Sequence, residues 1–132
     1  MNRLRIAVVG AHLTGQPLNH QLTDRDAVLI ETTTTAAVYR MSALDTDPPK
    51  PGLVRVDPAE GSAFEVEVWE MAAEHFGTLV AGVPSPLCIG QVLLSDGTTV
   101  SGFLCEPFAL DGAVDISGFG GWRAYLEGSA QG

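Results

Sequence analysis

The chain has 132 residues, a length typical of one domain, and 45 % of them are hydrophobic while 17 % are charged. This composition indicates a folded globular protein and argues against extensive disorder. Sixteen acidic residues against seven basic ones give a net charge of −9. Because so acidic a surface repels phosphate backbones and anionic lipid head groups, we expect no binding to nucleic acid or to membranes.

The apolar segments are too short or too interrupted to act as targeting or membrane-spanning helices. The N-terminal run reaches Gly10 and His12 before a signal-peptide core with a cleavage site is complete. The longest apolar region, 79–94, contains Pro84 and Pro86, which prevent a helix long enough to cross a bilayer. We therefore expect a soluble, cytoplasmic protein.

The predicted elements are mostly short strands, as the apolar and β-branched runs indicate. In chain order they are strands at 3–9, 27–34 and 39–44, a proline-rich loop at 45–52, and strands at 53–56, 63–71, 89–94 and 99–104. Asp96-Gly97, between the last two strands, is typical of a hairpin turn. Helical spacing predicts a helix over 72–80, and Trp122 and Tyr125 lie on an amphipathic turn that we expect to pack on the sheet. These elements favour an α+β domain built on a small barrel or strongly curved sheet.

The loop Gly10–Gly15, which follows the first strand, is the main candidate site. It is not a phosphate-binding P-loop, because Gln16 and Pro17 replace the Lys-Ser/Thr pair which that motif needs. Its backbone N–H groups can nevertheless bind a small anion. His12 lies inside the loop, where an imidazole among backbone donors can bind and protonate a small acidic substrate. The alternative is that His12 is an ordinary surface histidine.

The other titratable residues give weaker signals. Cys88 and Cys105 match no metal or redox spacing and are interpreted as half-buried thiols. The three histidines are scattered, so neither a metal site nor a cofactor is predicted. Glu65 and Glu67 alternate along a strand and are interpreted as part of a solvated face. Cations are scarce, so an anionic substrate requires one or two of a small set to balance its charge: Arg40, Lys50, Arg55 and Arg123.

Six segments of the chain, in order, resemble the C-terminal domain of allophanate hydrolase. They are VVGAHLTGQPLNHQL (8–22), PPKPGL (48–53), VWE (68–70), PSPLCIG (84–90), FLCE (103–106) and GGWRAYL (120–126). The resemblance covers residues 4–126 and implies one domain over 1–126, followed by a flexible tail at 127–132. It also implies a fold similar to that of γ-glutamyl cyclotransferases, with a pocket at the end of the first strand.

The resemblance implies a function and a set of site residues. In the full enzyme an amidase domain deaminates allophanate, and the C-terminal domain decarboxylates the N-carboxycarbamate that results. The essential histidine of the family falls on His12, which we expect to be catalytic. We expect the substrate to contact residues of the loop and two polar side chains near the pocket mouth, namely Gly10, Ala11, Leu13, Gly15, Asn19 and Tyr39. Cyclotransferase activity is not expected, because the region where those enzymes carry an acid reads Val80-Ala81-Gly82-Val83-Pro84.

The sequence contains no amidase domain, so we expect no amidase activity of its own. Two hypotheses follow. In the first, the chain is an enzyme that acts on a small carboxylated dianion beside a separate amidase subunit. In the second, it is a non-catalytic accessory module that docks on an amidase. Whether it is a free-standing protein or an excised domain stays open.

Overall fold

The computed structural model describes residues 2–131 of the chain, with side chains described to residue 128. Within that range there are eight strands and three α-helices. The strands are β1 (Arg3–Val8), β2 (Val28–Thr34), β3 (Tyr39–Leu44), β4 (Lys50–Arg55), β5 (Glu65–Ala72), β6 (Leu87–Leu93), β7 (Thr99–Cys105) and β8 (Val114–Asp115). The helices are α1 (His20–Thr23), α2 (Ala73–Ala81) and α3 (Trp122–Gln131). The predicted α+β class is confirmed.

The strands form two sheets. Five of them make a mixed sheet in the order β2-β5-β1-β7-β6, in which β1 and β7 run parallel and the other neighbours antiparallel. The other three make an antiparallel sheet in the order β4-β3-β8. The two outer strands of the larger sheet meet at one end, since Ala36 N donates to Leu93 O at 2.9 Å and Ser95 N to Thr34 O at 3.0 Å. The sheet therefore curls into a partly closed barrel, as the sequence predicts.

A single hydrophobic core lies between the two sheets and under the loop that follows β1. Each large side chain that is buried there contributes about 1.5–3 kcal/mol. Alternation along the strands places one face of each in the core. The largest fully buried side chains include Ile6, Leu13, Leu22, Tyr39, Met41, Leu53 and Phe64.

Strand β4 corrects the prediction of a loop over residues 45–52. The strand begins at Lys50, and Pro51 lies opposite Ala43 of β3. Proline has no N–H to donate, but β4 is an edge strand, so no ladder hydrogen bond is lost. The strand holds Lys50 at its first position, next to the end of β1.

The C-terminal helix packs on the domain as predicted. Trp122 is buried, and its ring lies 5.3 Å from that of Tyr125. The helix continues to residue 131, past the domain boundary expected at 126, so most of the predicted tail is helical. The flexibility of residues 127–132 stays a prediction, and Gly132 lies outside the described residues. None of the helices within residues 2–131 is long and apolar enough to cross a membrane.

Candidate active site

A cleft of about 190 Å³ opens where β1 ends. Its polar lining consists of His12, Gln21 and Lys50, and the remainder is mostly apolar. A smaller pocket adjoins it and is lined by Gly10, Ala11, His12 and Lys50, among others. The cleft thus joins a polar inner end, formed by the loop and the start of β4, to an apolar outer part formed by α2 and the segment before β6.

His12 lies at the centre of the cleft and is held on two sides. Its ring stacks on Phe103, with 4.6 Å between ring centroids and an angle of 15° between planes. Its Nε2 lies 2.8 Å from the Oε1 atom of Gln21. Because an amide oxygen only accepts, this contact assigns the proton to Nε2. Nδ1 makes no hydrogen bond with a described residue, so it is the ring nitrogen that can exchange a proton with a ligand.

The surroundings of His12 lower its pKa below the ordinary histidine value. Burial is the main cause, since the residue is only 7 % exposed. The hydrogen bond to Gln21 acts in the opposite direction, and the positive charge of Lys50 lowers the pKa further. His12 is therefore a neutral imidazole near pH 7 when the cleft is empty, and a bound anion would favour its protonated form.

Lys50 is the cation of the cleft and the only lysine of the chain. It is 6 % exposed, and its Nζ atom is 3.4 Å from the carbonyl oxygen of Pro48. Among the described residues no carboxylate lies within 4.0 Å of it, whereas Arg40 and Arg123 are both paired with acids. A buried ammonium without a counter-ion favours an anionic ligand. Of the four cations that the sequence suggests, Lys50 is the one that lines the cleft.

Only part of the Gly10–Gly15 loop offers free backbone donors. Leu13 N already donates to Gly10 O at 3.0 Å, and Thr14 N donates to a side chain of β5. The N–H groups of Ala11 and His12 donate to no acceptor within the described part of the chain. Anion binding by the loop is therefore expected from the N–H groups of Ala11 and His12, and not from every N–H group between Gly10 and Gly15.

The expected substrate-binding residues of the loop separate into two groups. Gly10 and Ala11 line the smaller pocket beside His12. Leu13 does not reach the cleft, because its side chain is fully buried in the core. Gly15 is exposed and forms a turn at a positive φ of 84°, also outside the cleft. The substrate-binding role expected of Leu13 and Gly15 has no support in this geometry.

Asn19 and Tyr39 do not line the cleft either. Asn19 donates from Nδ2 to the carbonyl oxygen of His12 at 2.9 Å, so it holds the backbone of the loop. Tyr39 is fully buried, and its hydroxyl oxygen accepts a hydrogen bond from Leu93 N at 2.8 Å. The structure thus places Tyr39 in the core, because β3 directs this side chain inward, and its contact with the substrate stays a prediction that this position does not support.

The sequence analysis missed Gln21 and Phe103 as site residues. Each comes from a different element, α1 and β7, and nothing in its local pattern distinguishes it. Phe103 could have been located from the parallel pairing of β1 with β7, which brings Gly102 beside Ala7. Within the described residues, no group of three or more His, Cys, Asp or Glu side chains is arranged to hold a metal ion.

Glu67 corrects the interpretation of a solvated acidic face on β5. The residue is 3 % exposed and accepts hydrogen bonds from Thr14, Trp69 and Arg123. Burial acts to raise its pKa, but the hydrogen bonds from Arg123 and Thr14 outweigh it, and the pKa is below the ordinary value. Glu67 is therefore a buried carboxylate that is fully paired.

The architecture and the position of the cleft define the class of the protein. A curved-sheet α+β domain of this kind also occurs in a solved γ-glutamyl cyclotransferase, with a TM-score of 0.56 and 13 % identity over 80 % of this chain and 68 % of that one. At this identity the likeness shows the fold alone, and the predicted γ-glutamyl cyclotransferase-like fold is confirmed. The sequence profile of the allophanate hydrolase C-terminal domain matches residues 4–127. The chain belongs to this family, which confirms the resemblance.

Three relatives contain a domain similar to this chain, within proteins of different lengths. Urea amidolyase from Saccharomyces cerevisiae is 44 % identical in an alignment 128 residues long, which covers 94 % of this chain and 7 % of that protein. Allophanate hydrolase from Kluyveromyces lactis has a TM-score of 0.91 and 42 % identity over 96 % of this chain and 21 % of that one. The chain thus spans only a small part of these proteins. The structure of c4763, a uropathogenic E. coli-specific protein, matches over 98 % of its own length and 96 % of this chain, with 31 % identity and a TM-score of 0.88.

Proposed function

We propose that this chain decarboxylates N-carboxycarbamate, the dianion that remains when an amidase removes ammonia from allophanate. The observation that carries the proposal is the placement of a buried, unpaired Lys50 and of His12 on one cleft. Membership in the allophanate hydrolase C-terminal domain family supports the same substrate class. The much longer relatives support a division of labour, in which a separate amidase supplies the substrate.

The polar end of the cleft suits one carboxylate of the substrate. Lys50 supplies a full positive charge, and Ala11 and His12, which line the same small pocket, supply two N–H groups that donate to no described acceptor. Charge-assisted hydrogen bonds of this kind are about twice as strong as neutral ones. Since the protein carries a net charge of −9, this local cation is needed to bring a dianion to the surface at all.

The apolar part of the cleft suits the carboxylate that leaves. Leu79, Val83 and Pro84 line that part and offer no donor from their side chains. A carboxylate placed there loses its hydration, whereas the neutral CO2 that it becomes needs none. The unequal polarity of the two ends therefore selects which of the two carboxylates departs.

His12 completes the reaction as a general acid. When the C–N bond breaks, its electron pair stays on nitrogen, and that nitrogen takes a proton from Nδ1 of His12 to give carbamate and CO2. The dianion raises the pKa of His12 from its lowered value, so the imidazole takes up the proton as the substrate binds. After CO2 leaves, His12 is again the neutral imidazole of the empty cleft, and it takes up its next proton from solvent when the next substrate binds. Proton transfer of this kind contributes about 10²–10⁴-fold to a rate.

Residues 80–84 argue against cyclotransferase chemistry. Val83 and Pro84 line the outer part of the cleft, and no carboxylate stands in this segment. A cyclotransferase-like reaction needs an acid at that point to move the proton of an amine. Among the described residues that line the cleft, none is an aspartate or glutamate and His12 is the one histidine, which fits a substrate that gains a proton as it breaks down.

The proposal is tested by measuring CO2 release while a separate amidase generates the substrate from allophanate. Wild type should accelerate release over buffer, His12→Ala should lose about 10²-fold or more, and His12→Asn should recover little, because an amide donates a hydrogen bond but transfers no proton. His20→Ala is the control, since His20 is exposed, lines neither pocket, and its ring Nδ1 forms a hydrogen bond with Pro17 O. If wild type matches buffer, the chain is an accessory module of an amidase and the proposal fails.

A further inference from the structure

An ion pair between the buried Glu67 and the partly exposed Arg123 holds the loop that carries His12, and neither residue lines the cleft. Glu67 of β5 accepts from Thr14 N at 2.9 Å and from Thr14 Oγ1 at 3.0 Å. Arg123 of α3 donates to Thr14 O at 2.9 Å and to Glu67 Oε2 at 2.8 Å. The N–H and the C=O of one residue are therefore both held by the two members of a single ion pair.

The position of Thr14 gives this contact a consequence for the site. Thr14 lies two residues after His12, and between them Leu13 is anchored in the core and donates to Gly10 O. Asn19 holds the carbonyl oxygen of His12 itself. These contacts fix the backbone on both sides of His12. The N–H groups of Ala11 and His12 donate to no described acceptor, and both residues line the smaller pocket.

We propose that Glu67 and Arg123 are positioning residues, which set the geometry of His12 and of the anion-binding N–H groups without touching the substrate. The inference deepens the proposed function and rests on it. It makes the C-terminal helix a working part of the site, because Arg123 reaches the loop from the second residue of α3. A displacement of about 1 Å in such a loop can cost on the order of 10²-fold in rate.

Glu70 offers a matched control on the same strand. It is also a glutamate of β5 that pairs with arginines, at 3.1 Å from Arg3 Nε and 3.1 Å from Arg5 Nε. Its partners lie at the start of β1, away from the loop. A substitution there removes ion pairs and one negative charge but leaves Thr14 untouched.

The experiment compares Glu67→Gln with Glu70→Gln by NMR titration of the three histidines and by malonate binding. Malonate stands in for the substrate, because it has two carboxylates on one central atom. For Glu67→Gln we expect the malonate Kd to rise about 10- to 100-fold and the His12 titration to move toward the ordinary histidine value. Glu70→Gln should leave the Kd within about twofold of wild type and the His12 titration unchanged.

Two further variants protect the test from simple misfolding. Thr14→Val removes only the hydroxyl contact, so it should fold and raise the Kd several-fold, whereas Thr14→Ser keeps both contacts and should behave as wild type. If Glu67→Gln leaves both the Kd for malonate and the His12 titration unchanged, the inference is overturned. If Glu67→Gln fails to fold, the same result for Thr14→Val overturns it. If wild type does not bind malonate, the proposed function loses its anion site, and the His12 titration alone then decides whether Glu67 positions the loop.

Discussion

Replacing Lys50 by Met removes the charge of the cleft while it keeps a long unbranched side chain at the start of β4. Lys50 is 6 % exposed and its ammonium has one long contact, 3.4 Å to Pro48 O. The folded protein without ligand therefore loses little when the ammonium is removed, because a buried charge without a counter-ion contributes nothing to stability. We expect Lys50→Met to unfold at the same temperature as wild type or higher.

Ligand binding should respond in the opposite way. A hydrogen bond to a charged group contributes about 1.5–3 kcal/mol, and 1.4 kcal/mol corresponds to tenfold in affinity. Loss of Lys50 should therefore raise the Kd for malonate by about 10- to 150-fold. The ideal Coulomb energy of two unit charges 4 Å apart near a protein surface, about 4 kcal/mol, sets the upper limit.

Isothermal titration calorimetry with malonate measures this change, and Arg55→Met is the control. Arg55 is an exposed residue at the other end of β4, so this variant alters the net charge by the same amount. We expect Arg55→Met to bind malonate within about twofold of wild type, because exposed charges are screened by salt. A Lys50→Met affinity that equals that of Arg55→Met would refute the argument that Lys50 holds the anion.

Three more predictions follow from the site and its supports. Malonate affinity should increase as the pH falls from 8 to 6, since the bound dianion raises the lowered pKa of His12. Calorimetry in two buffers should detect proton uptake on binding that is absent in His12→Asn. Uptake that persists in that variant would assign the proton to another group. The free energy of unfolding should fall as the pH drops below the ordinary histidine pKa, because burial disfavours the protonated form of His12 in the folded protein, and should fall further as the pH drops below the ordinary carboxyl pKa toward the lower folded pKa values of Glu67 and Asp115. Urea unfolding between pH 7 and 3 measures both changes, and a profile that is flat in the carboxyl range would contradict the pairing of these acids. Gly10→Ala should destabilise the protein by about 1–3 kcal/mol and weaken malonate binding, because its Cβ would overlap the ring of Pro51. The Cβ of Gly118→Ala meets no atom within 4 Å, so this variant should leave both stability and malonate binding unchanged.

Much of the fold could be predicted because its signals are local. The bounds of β3 agree with the pattern of residues 39–44, and the Asp96-Gly97 turn lies between β6 and β7 as expected. The predicted strand begins only at residue 53, because three prolines within four positions are typical of a loop, whereas β4 begins at Lys50. The pattern could not reveal that β4 is an edge strand, on which a proline is tolerated.

The site was predictable only in part. His12 could be singled out, since a glycine-flanked loop after a strand is a local signal. Lys50 and Gln21 come from other elements, and only tertiary packing brings them to the cleft. Tyr39 was expected at the mouth because it is polar, but its hydroxyl is satisfied inside the core by Leu93 N. The burial of Tyr39 depends on how the sheet curls into the partly closed barrel, and the residues next to Tyr39 in the sequence do not indicate it.

A crystal structure of the protein with malonate would test the central claim most directly, namely that the cleft at the end of β1 holds a small dianion against His12. The account predicts one carboxylate within hydrogen-bond distance of Lys50 Nζ and of the N–H groups of Ala11 and His12. The second carboxylate should lie toward Val83 and Pro84, with Nδ1 of His12 near the central carbon, where the nitrogen of the substrate would stand. Malonate bound elsewhere, or a cleft that stays empty at saturating malonate, would contradict it.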